Sequence, residues 1–352
     1  MRETRDRALR RLGRSYLSVT KRIWNLLPAS VRRLPPVLLY GRYVHALVGR
    51  FAERTQSHGT FFFRNRPELE LLRRLVNRKA PGASLEVSVF ACSKGAEVYS
   101  IAWTIRSARP DLKVRLHAFD ISQEIVEFAK NGAYSIRRPP GACAFRHQGA
   151  SKEDMLSWNT YRDQGARQDL SIFERMTERE MQAMFDREGD HVEVKAWLKE
   201  GIIWYTGDAR DPALASILCP QDILVANRFL CHMKPVAAER CLRNLARLVK
   251  PGGYLFVSGV DLDVRKMVGG EMKWEPVTEL LREIYEGDVS LMNGWPLEWW
   301  GQEPFQAKRQ DWSTRYASVF QLGRGASMKT RRTHSAAECR EASHPCAANL
   351  QR

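Results

Sequence analysis

The sequence predicts a doubly wound α/β fold with a mostly parallel sheet and a short helical N-terminal region. Three observations point there. From Ser84 onward, short apolar runs alternate with amphipathic helical stretches. Apolar strands joined by helices belong in a parallel sheet covered on both faces. The helical pattern Pro235–Val249 stops at Lys250-Pro251-Gly252-Gly253, a helix end followed by a tight turn. Apolar residues make up 44% of the 352 residues, enough for a sizeable core and too many for a disordered chain.

The elements follow in order. Residues 1–27 read as a helix, because Leu9, Leu12, Tyr16, Val19, Ile23 and Leu27 recur at steps of three or four with arginines between them. That stripe suits a small helical region docking on the core or on a partner; a helix lying on a membrane surface is the alternative. Pro28 and Pro35-Pro36 separate it from a second apolar helix around Val37–Phe51. Strands are expected at Leu85–Phe90, Val114–Phe119, Ile202–Tyr205, Ile223–Ala226 and Tyr254–Ser258. Helices are expected at Glu97–Ala108, with Ile101, Ala102 and Ile105 inward, and at Gln123–Lys130. Arg137–Leu170, rich in Arg, Gly, Pro and Gln, reads as an inserted loop. Residues 274–316 concentrate Trp274, Trp295, Trp299, Trp300 and Trp312, and 323–352 lack periodicity and read as disordered. The expected division is a basic helical region 1–57, a main domain 58–322 and a tail 323–352.

The net charge of +16 favours an acidic partner. The excess is uneven: residues 1–57 carry 13 Arg or Lys against Glu3, Asp6 and Glu53. The charge therefore describes the appendages more than the centre. Seven cysteines are scattered without a C-x-x-C pair, so no metal site is expected and the thiols read as free. No apolar run approaches the roughly 18 residues that span a bilayer. Charges break up the first residues before a secretory core forms, so the expected location is cytoplasmic.

Four segments carry candidate chemistry. Val89-Phe90-Ala91-Cys92-Ser93-Lys94-Gly95-Ala96-Glu97 follows a strand and opens a helix, where open α/β sheets hold nucleoside-bearing cofactors. A plain strand–helix turn is the competing reading. Asp120 ends the second strand, 25 residues beyond Gly95, where a carboxylate can accept both ribose hydroxyls; it could instead cap the helix that follows. The missing G-x-G-x-x-G disfavours a dinucleotide. Thr60-Phe61-Phe62-Phe63-Arg64 precedes the sheet and is either functional or a hydrophobic plug. Asn227-Arg228-Phe229-Leu230-Cys231-His232 follows the fourth strand and faces the cleft in this fold.

In order and spacing these segments resemble the CheR-type chemotaxis-receptor glutamate methyltransferases. That family has Asn-x-Thr-x-Phe-Phe-Arg, then Gly-Cys-Ser-x-Gly-Glu-Glu-Pro-Tyr-Ser-Ile-Ala, an Asp-Ile-Asp, Cys-Arg-Asn-Val-x-Ile-Tyr-Phe and Leu-Lys-Pro-Gly-Gly-Tyr-Leu. The matches here run Thr60 to Arg64, Cys92 to Ala102, Asp120-Ile121, Gly132 to Ser135 and Lys250 to Phe256. Departures are His58 for Asn, Ala91 for Gly, Ala96 for the first Glu, Val98 for Pro, an inverted Asn227-Arg228 order and His232 for the tyrosine. No clear counterpart of the family's small receptor-tethering β-subdomain is visible.

The resemblance implies a class I Rossmann-like methyltransferase fold and S-adenosylmethionine as cofactor, with S-adenosylhomocysteine as product. It implies a cofactor site of His58, Thr60, Arg64, Ala91, Ser93, Gly95, Glu97, Asp120, Asp208, Ala209, Ala226 and Asn227. Arg64, Arg228 and His232 would act at the acceptor. The implied acceptor is a protein glutamate. The rival readings are a methyltransferase for a small molecule or another side chain, with His232 as base, and a silent cofactor-binding module. Nucleic acid is not expected, since only the charge suggests it.

Overall fold

The computed structural model describes residues 2–52, 54, 58–137, 156, 158–163 and 166–323. In chain order its strands are β1 (Ser84–Phe90), β2 (Lys113–Asp120), β3 (Ala133–Ser135), β4 (Trp158–Asp163), β5 (Ala166–Ser171) and β6 (Phe185–Glu188). Then come β7 (His191–Val194), β8 (Ile202–Thr206), β9 (Gln221–Val225), β10 (Val249–Phe256), β11 (Trp274–Pro276) and β12 (Val319–Leu322). A seven-stranded sheet runs β11-β12-β10-β9-β1-β2-β8. The five strands from β10 to β8 are parallel, and β12 runs antiparallel to both β10 and β11. The fold class is the expected one. Successive connections leave β1 towards β2 on one side and return to β9 on the other, so a crevice opens at the carboxyl ends of β1 and β9.

Burial explains the apolar runs. β9 is buried at every position and β1 at all but its first, so both faces of the central strands need apolar cover. Helix α5 (Ala96–Ala108) supplies it with Val98, Tyr99, Ile101, Ala102 and Ile105. Helix α6 (Gln123–Asn131) starts at Ser122, whose hydroxyl accepts from Ile125 N–H, and ends at Gly132 in the left-handed region, φ 64°. Helix α4 (Arg66–Asn77) is capped by Asn65 and begins with Pro67 in its first turn. The helix Pro235–Ala246 stops three residues earlier than its pattern suggests, because Val249 already pairs with Gln221 in the sheet. The Gly252 turn, φ 81°, survives as an irregularity between Val249 and Tyr254.

Three features differ from, or are left open by, the sequence reading. The apolar stripe of α1 (Arg2–Leu26) does not face the core: Tyr16, Val19 and Ile23 are 40%, 57% and 56% exposed. The inward face carries Gly13, Leu17, Thr20 and Trp24, and the Trp24 ring meets Trp295 edge-on at 5.5 Å. A short helix α2 (Ala29–Arg32) leads to α3 (Pro35–Phe51), whose Gly41 lies under that ring pair. Second, within the stretch expected as a loop, β4 and β5 form an antiparallel hairpin. Residues 138–155 lie outside the described residues. Third, a three-stranded antiparallel sheet, β3-β7-β6, stands between α6 and β8. Its strands are three or four residues long, too short for alternation to reveal them. The tail beyond 323 also lies outside the described residues.

Candidate active site

The turn between β1 and α5 is tight. Ala91 and Ser93 sit at φ 55° and 50°, and Gly95 at 84°. Phe63 and Arg228, in the other two signature segments, are also at positive φ, 50° and 65°. Such conformations are costly for non-glycine residues and gather where a binding site dictates the backbone. The turn is anchored by Cys92 N–H donating to Phe119 O (2.8 Å) and by Ser93 N–H donating to Asp120 Oδ2 (2.9 Å). Ser93 Oγ donates to His58 O (2.9 Å) and Phe63 N–H to Ser100 Oγ (3.0 Å), which fastens the Thr60–Arg64 segment to the turn.

Asp120 is not the cap of α6; Ser122 is. Instead Asp120 accepts the backbone N–H groups of Ser93 and Ser122, the latter at 3.1 Å. An ionised carboxylate accepts about four hydrogen bonds, so capacity remains toward the cleft. Gly95 does not line that cleft. A Cβ there would lie 3.1 Å from Ala129 Cβ and 3.1 Å from the Tyr99 ring, so its role is to let the turn pack on α6.

A buried acid cluster stands behind the turn. Asn227 Nδ2 donates to Glu68 Oε1 (2.7 Å) and to Glu97 Oε1 (2.8 Å), and its Oδ1 accepts from Ser258 N–H (2.9 Å) and Oγ–H (2.8 Å). Burial, reinforced by the neighbouring Glu97, pushes the Glu68 carboxyl up to about 8. Burial also raises Glu97. Glu68 Oε2 is buried with no hydrogen-bond partner. At Asp288 burial acts to raise the carboxyl, but Arg228, Arg64, Ser290 and Arg175 together bring it below its ordinary value. Arg228 Nη1 lies 3.7 Å from Asp288 Oδ2, and Arg175 Nη2 3.8 Å from Oδ1. The Arg228 turn needs Gly259 beside it, where a Cβ would come within 2.9 Å of Arg228 Cα. Arg64 Nη2 donates to Gly59 O (2.6 Å), and Arg175 donates to Arg64 O.

Ser93, Asp120, Glu97, Asn227, Arg64 and Arg228 line one cleft of about 410 Å³, with Glu68 and Asp288 outside its lining. Of the expected residues it takes His58, Thr60, Arg64, Ala91, Ser93, Glu97, Asp120, Asp208, Ala209, Asn227, Arg228 and His232. Ala226 is fully buried behind it, its N–H bonded to Phe256 O. Sequence reasoning missed Gly59, Phe90, Phe119, Ile121, Gly207, Arg210, Phe229, Met233, Lys234 and Ala237. Several of these adjoin expected residues at strand ends, which is the signal that could have found them. Phe90, Phe119 and Tyr205 stack in series at 4.7 and 4.5 Å, with Phe90 and Phe119 lining the cleft. Asp208 is held by Arg210 at 2.5 Å, and this hydrogen bond lowers its carboxyl pKa.

Two larger cavities adjoin the cleft. At Arg64 it meets one of about 750 Å³, walled by Trp24, Arg32, Phe61, Arg66, Arg175, Trp295 and Trp300. At His232 and Lys234 it meets one of about 1020 Å³, walled by His45, Arg50, Arg54, Asp261, Trp299 and Glu303. His232 occupies a 3₁₀ turn, Leu230–His232, with its ring edge-on to Trp299 at 6.4 Å. Away from the cleft, among the described residues, Glu86, His117 and Cys219 bring three possible metal donors together within 4.8 Å. Glu86 is already engaged by Arg115 (2.6 Å) and His117 (3.2 Å).

Residues 58–142 match the sequence family described as CheR methyltransferase, SAM binding domain. No curated protein sequence matches the chain. Among solved structures, the CMeT domain of the citrinin polyketide synthase aligns at 12% identity over 54% of this chain and 33% of its own, TM-score 0.32. The magnesium protoporphyrin IX methyltransferase of Synechocystis aligns at 13% identity over 60% and 70%, TM-score 0.32. An amino pentose methyltransferase from Micromonospora echinaspora aligns at 10% identity over 62% and 55%, TM-score 0.29. The chain spans about a third of the length of the first of these. The matched stretch runs from His58 through the β1–α5 turn to beyond Asp120, so this part of the chain is similar to the S-adenosylmethionine-binding domain of the CheR methyltransferases.

Proposed function

We propose that the chain is an S-adenosylmethionine-dependent methyltransferase that esterifies a carboxylate, with a protein glutamate as acceptor. The residues present suit the cofactor. The cleft volume of about 410 Å³ is within the range of small-molecule sites. Asp120 has acceptor capacity for ribose hydroxyls, and Phe90, Phe119 and Ile121 offer apolar walls for a base. At the other end, the Glu97 carboxyl, held by Asn227, offers oxygen acceptors to an ammonium group. S-adenosylmethionine supplies an electrophilic methyl carbon on a sulfonium.

The observation that carries the acceptor class is the pair of guanidinium groups, Arg64 and Arg228, lining the same cleft as Glu97 and Asp120. Arg228 Nη1 lies 3.7 Å from Asp288 Oδ2, and Arg64 Nη2 is held by Gly59 O, so both guanidinium groups are fixed beside the cleft. A carboxylate entering beside them is steered electrostatically. Its ordinary pKa is near 4.3, so it is ionised at neutral pH and needs no base. The new O–C bond forms as the C–S bond breaks, the electron pair goes to sulfur, and no proton moves. Positioning is the main contribution of the site. The test is to add methyl-labelled cofactor and protein to a cell lysate. Label on protein that is released by mild base is the expected result; base-stable label would refute ester formation.

The adjoining cavities favour a second reading, a small-molecule acceptor held between the cleft and the Trp-lined walls. If that acceptor is a hydroxyl or amine, His232 becomes the general base, worth about 10²–10⁴-fold. His232→Gln then loses most of the rate, and the wild-type rate falls on the acidic side, where a protonated imidazole cannot act as base. Under the carboxylate reading the same variant keeps substantial activity and the acidic limb is absent.

A further inference from the structure

We propose that the outward face of α1 and α3 docks on an anionic lipid bilayer surface. Helix α1 is apolar on two sides. Its inner side is used up by the contact of Trp24 with Trp295. Its outer side presents Tyr16, Val19, Ile23 and Leu26, the last 83% exposed. Their spacing places them on one stripe. Helix α3 adds Leu39 and Tyr43, 68% and 57% exposed. The two stripes are one patch, because Tyr16 and Tyr40 hydroxyls are hydrogen-bonded at 3.0 Å. Apolar surface of this kind, contiguous and without a covering element, marks an interaction face.

The charge around the patch selects the occupant. Arg22, Arg33 and Arg50 are exposed on these two helices or beside them, and no Asp or Glu occurs between Arg7 and Ala52. A second copy of the chain would set cations against cations across a two-fold axis. The segment 324–352 is itself basic, with Arg324, Lys329, Arg331, Arg332, Arg340 and Arg352 against Glu338 and Glu341, so it is repelled as well. The two large cavities are lined from the inner side of the helices, by Trp24, Arg42 and His45, and not by the exposed stripe. An apolar centre, tyrosines and cationic margins match a bilayer interface. Apolar side chains enter the acyl boundary, Tyr rings sit at headgroup depth and arginines meet lipid phosphates.

The test uses the full chain in co-sedimentation with vesicles of phosphatidylcholine, alone or with one-third phosphatidylserine. Binding should be strong only with phosphatidylserine and should weaken by about tenfold or more between low and high salt. Val19→Glu with Ile23→Glu should reduce partitioning at least about tenfold. These positions are more than half exposed, so cofactor affinity and thermal unfolding should not change. Arg22→Gln with Arg33→Gln tests the charge separately and should remove the preference for phosphatidylserine. No vesicle binding, or equal binding to both vesicle types, overturns the proposal. So does capture by polyglutamate without vesicle binding, which would assign the face to an acidic protein, or dimerisation that the Val19/Ile23 variant abolishes.

Discussion

Asn227 spends both amide hydrogens on two carboxylates and its oxygen on Ser258. It therefore holds Glu68 and Glu97 side by side in a buried site. The consequence is testable through pH. In the unfolded chain Glu68 has an ordinary carboxyl pKa of 4.5; in the folded chain it is about 8. Between these values the native state keeps a proton that the unfolded state releases. Stability therefore falls as pH rises through that window and the penalty is complete above about 8. Glu68→Gln keeps an acceptor for Asn227 and cannot ionise. Its melting temperature relative to wild type, both without cofactor, should increase from about pH 5 to about pH 8. A pH-independent difference would show that Glu68 is not protonated in the fold. Asp120 makes the second residue-scale prediction. Asp120→Ala should weaken S-adenosylmethionine binding by about 1–3 kcal/mol in calorimetry, the cost of leaving polar partners unsatisfied. Unchanged affinity in a folded variant would mean that the ribose lies elsewhere.

At the scale of elements, the packing of α1 and α3 turns on one glycine. A Cβ on Gly41 would stand 2.2 Å from the Trp295 ring and 2.9 Å from Trp24. Replacing a helical glycine by alanine normally gains about 0.5–1 kcal/mol. Overpacking a fitted contact costs about 1–3 kcal/mol, so the clash wins. Gly41→Ala should lower stability in denaturant titrations followed by tryptophan fluorescence; a stabilised variant would show that the two rings move aside freely. The α1 pattern was legible as a helix and misleading as to its face. An apolar stripe says which residues share a side, not what covers it. Tyr16, Val19 and Ile23 match the helical period as well as any core stripe, while the true contact is made by Thr20 and Trp24. The strands β1, β2 and β9 were legible because their buried stretches carry apolar residues such as Val87, Val89 and Phe90, Leu116, Ala118 and Phe119, and Ile223-Leu224-Val225. β3, β6 and β7 were not, being three or four residues long.

At the scale of the whole molecule, the N-terminal helices and the Trp-rich segment together wall the cavities on either side of Arg64 and His232. The cleft itself is built from residues 58–237. Deleting residues 1–57 should therefore leave cofactor affinity within about threefold, about 0.65 kcal/mol and so less than the roughly 1 kcal/mol of a lost hydrogen bond. Methyl transfer to the natural acceptor should be lost, since Trp24, Arg32 and His45 are then missing from the walls. Parallel calorimetry and label transfer separate the two effects; equal loss of both would make the segment part of the cofactor-binding core. In the intact chain, cofactor at about a hundred times its dissociation constant should add roughly 2.7 kcal/mol to unfolding stability.

The sequence alone determined the α/β class and the succession of the central strand segments, and its resemblance to the CheR-type family implied twelve of the residues that line the cleft. It could do so because these properties are local: apolar runs, a strand end followed by a turn, and Asp120 at a fixed distance from Gly95. Tertiary structure alone decided what those residues touch. It made Ser122 the helix cap and left Asp120 facing the cleft. It set Gly95 against Ala129, and brought Glu68, at 159 positions' remove, to Asn227. It turned the conspicuous stripe of α1 outward and seated Trp24 on Trp295. Each of these is a contact between segments far apart in the chain, and its energy comes from burial and hydrogen bonding that exist only once the elements have packed.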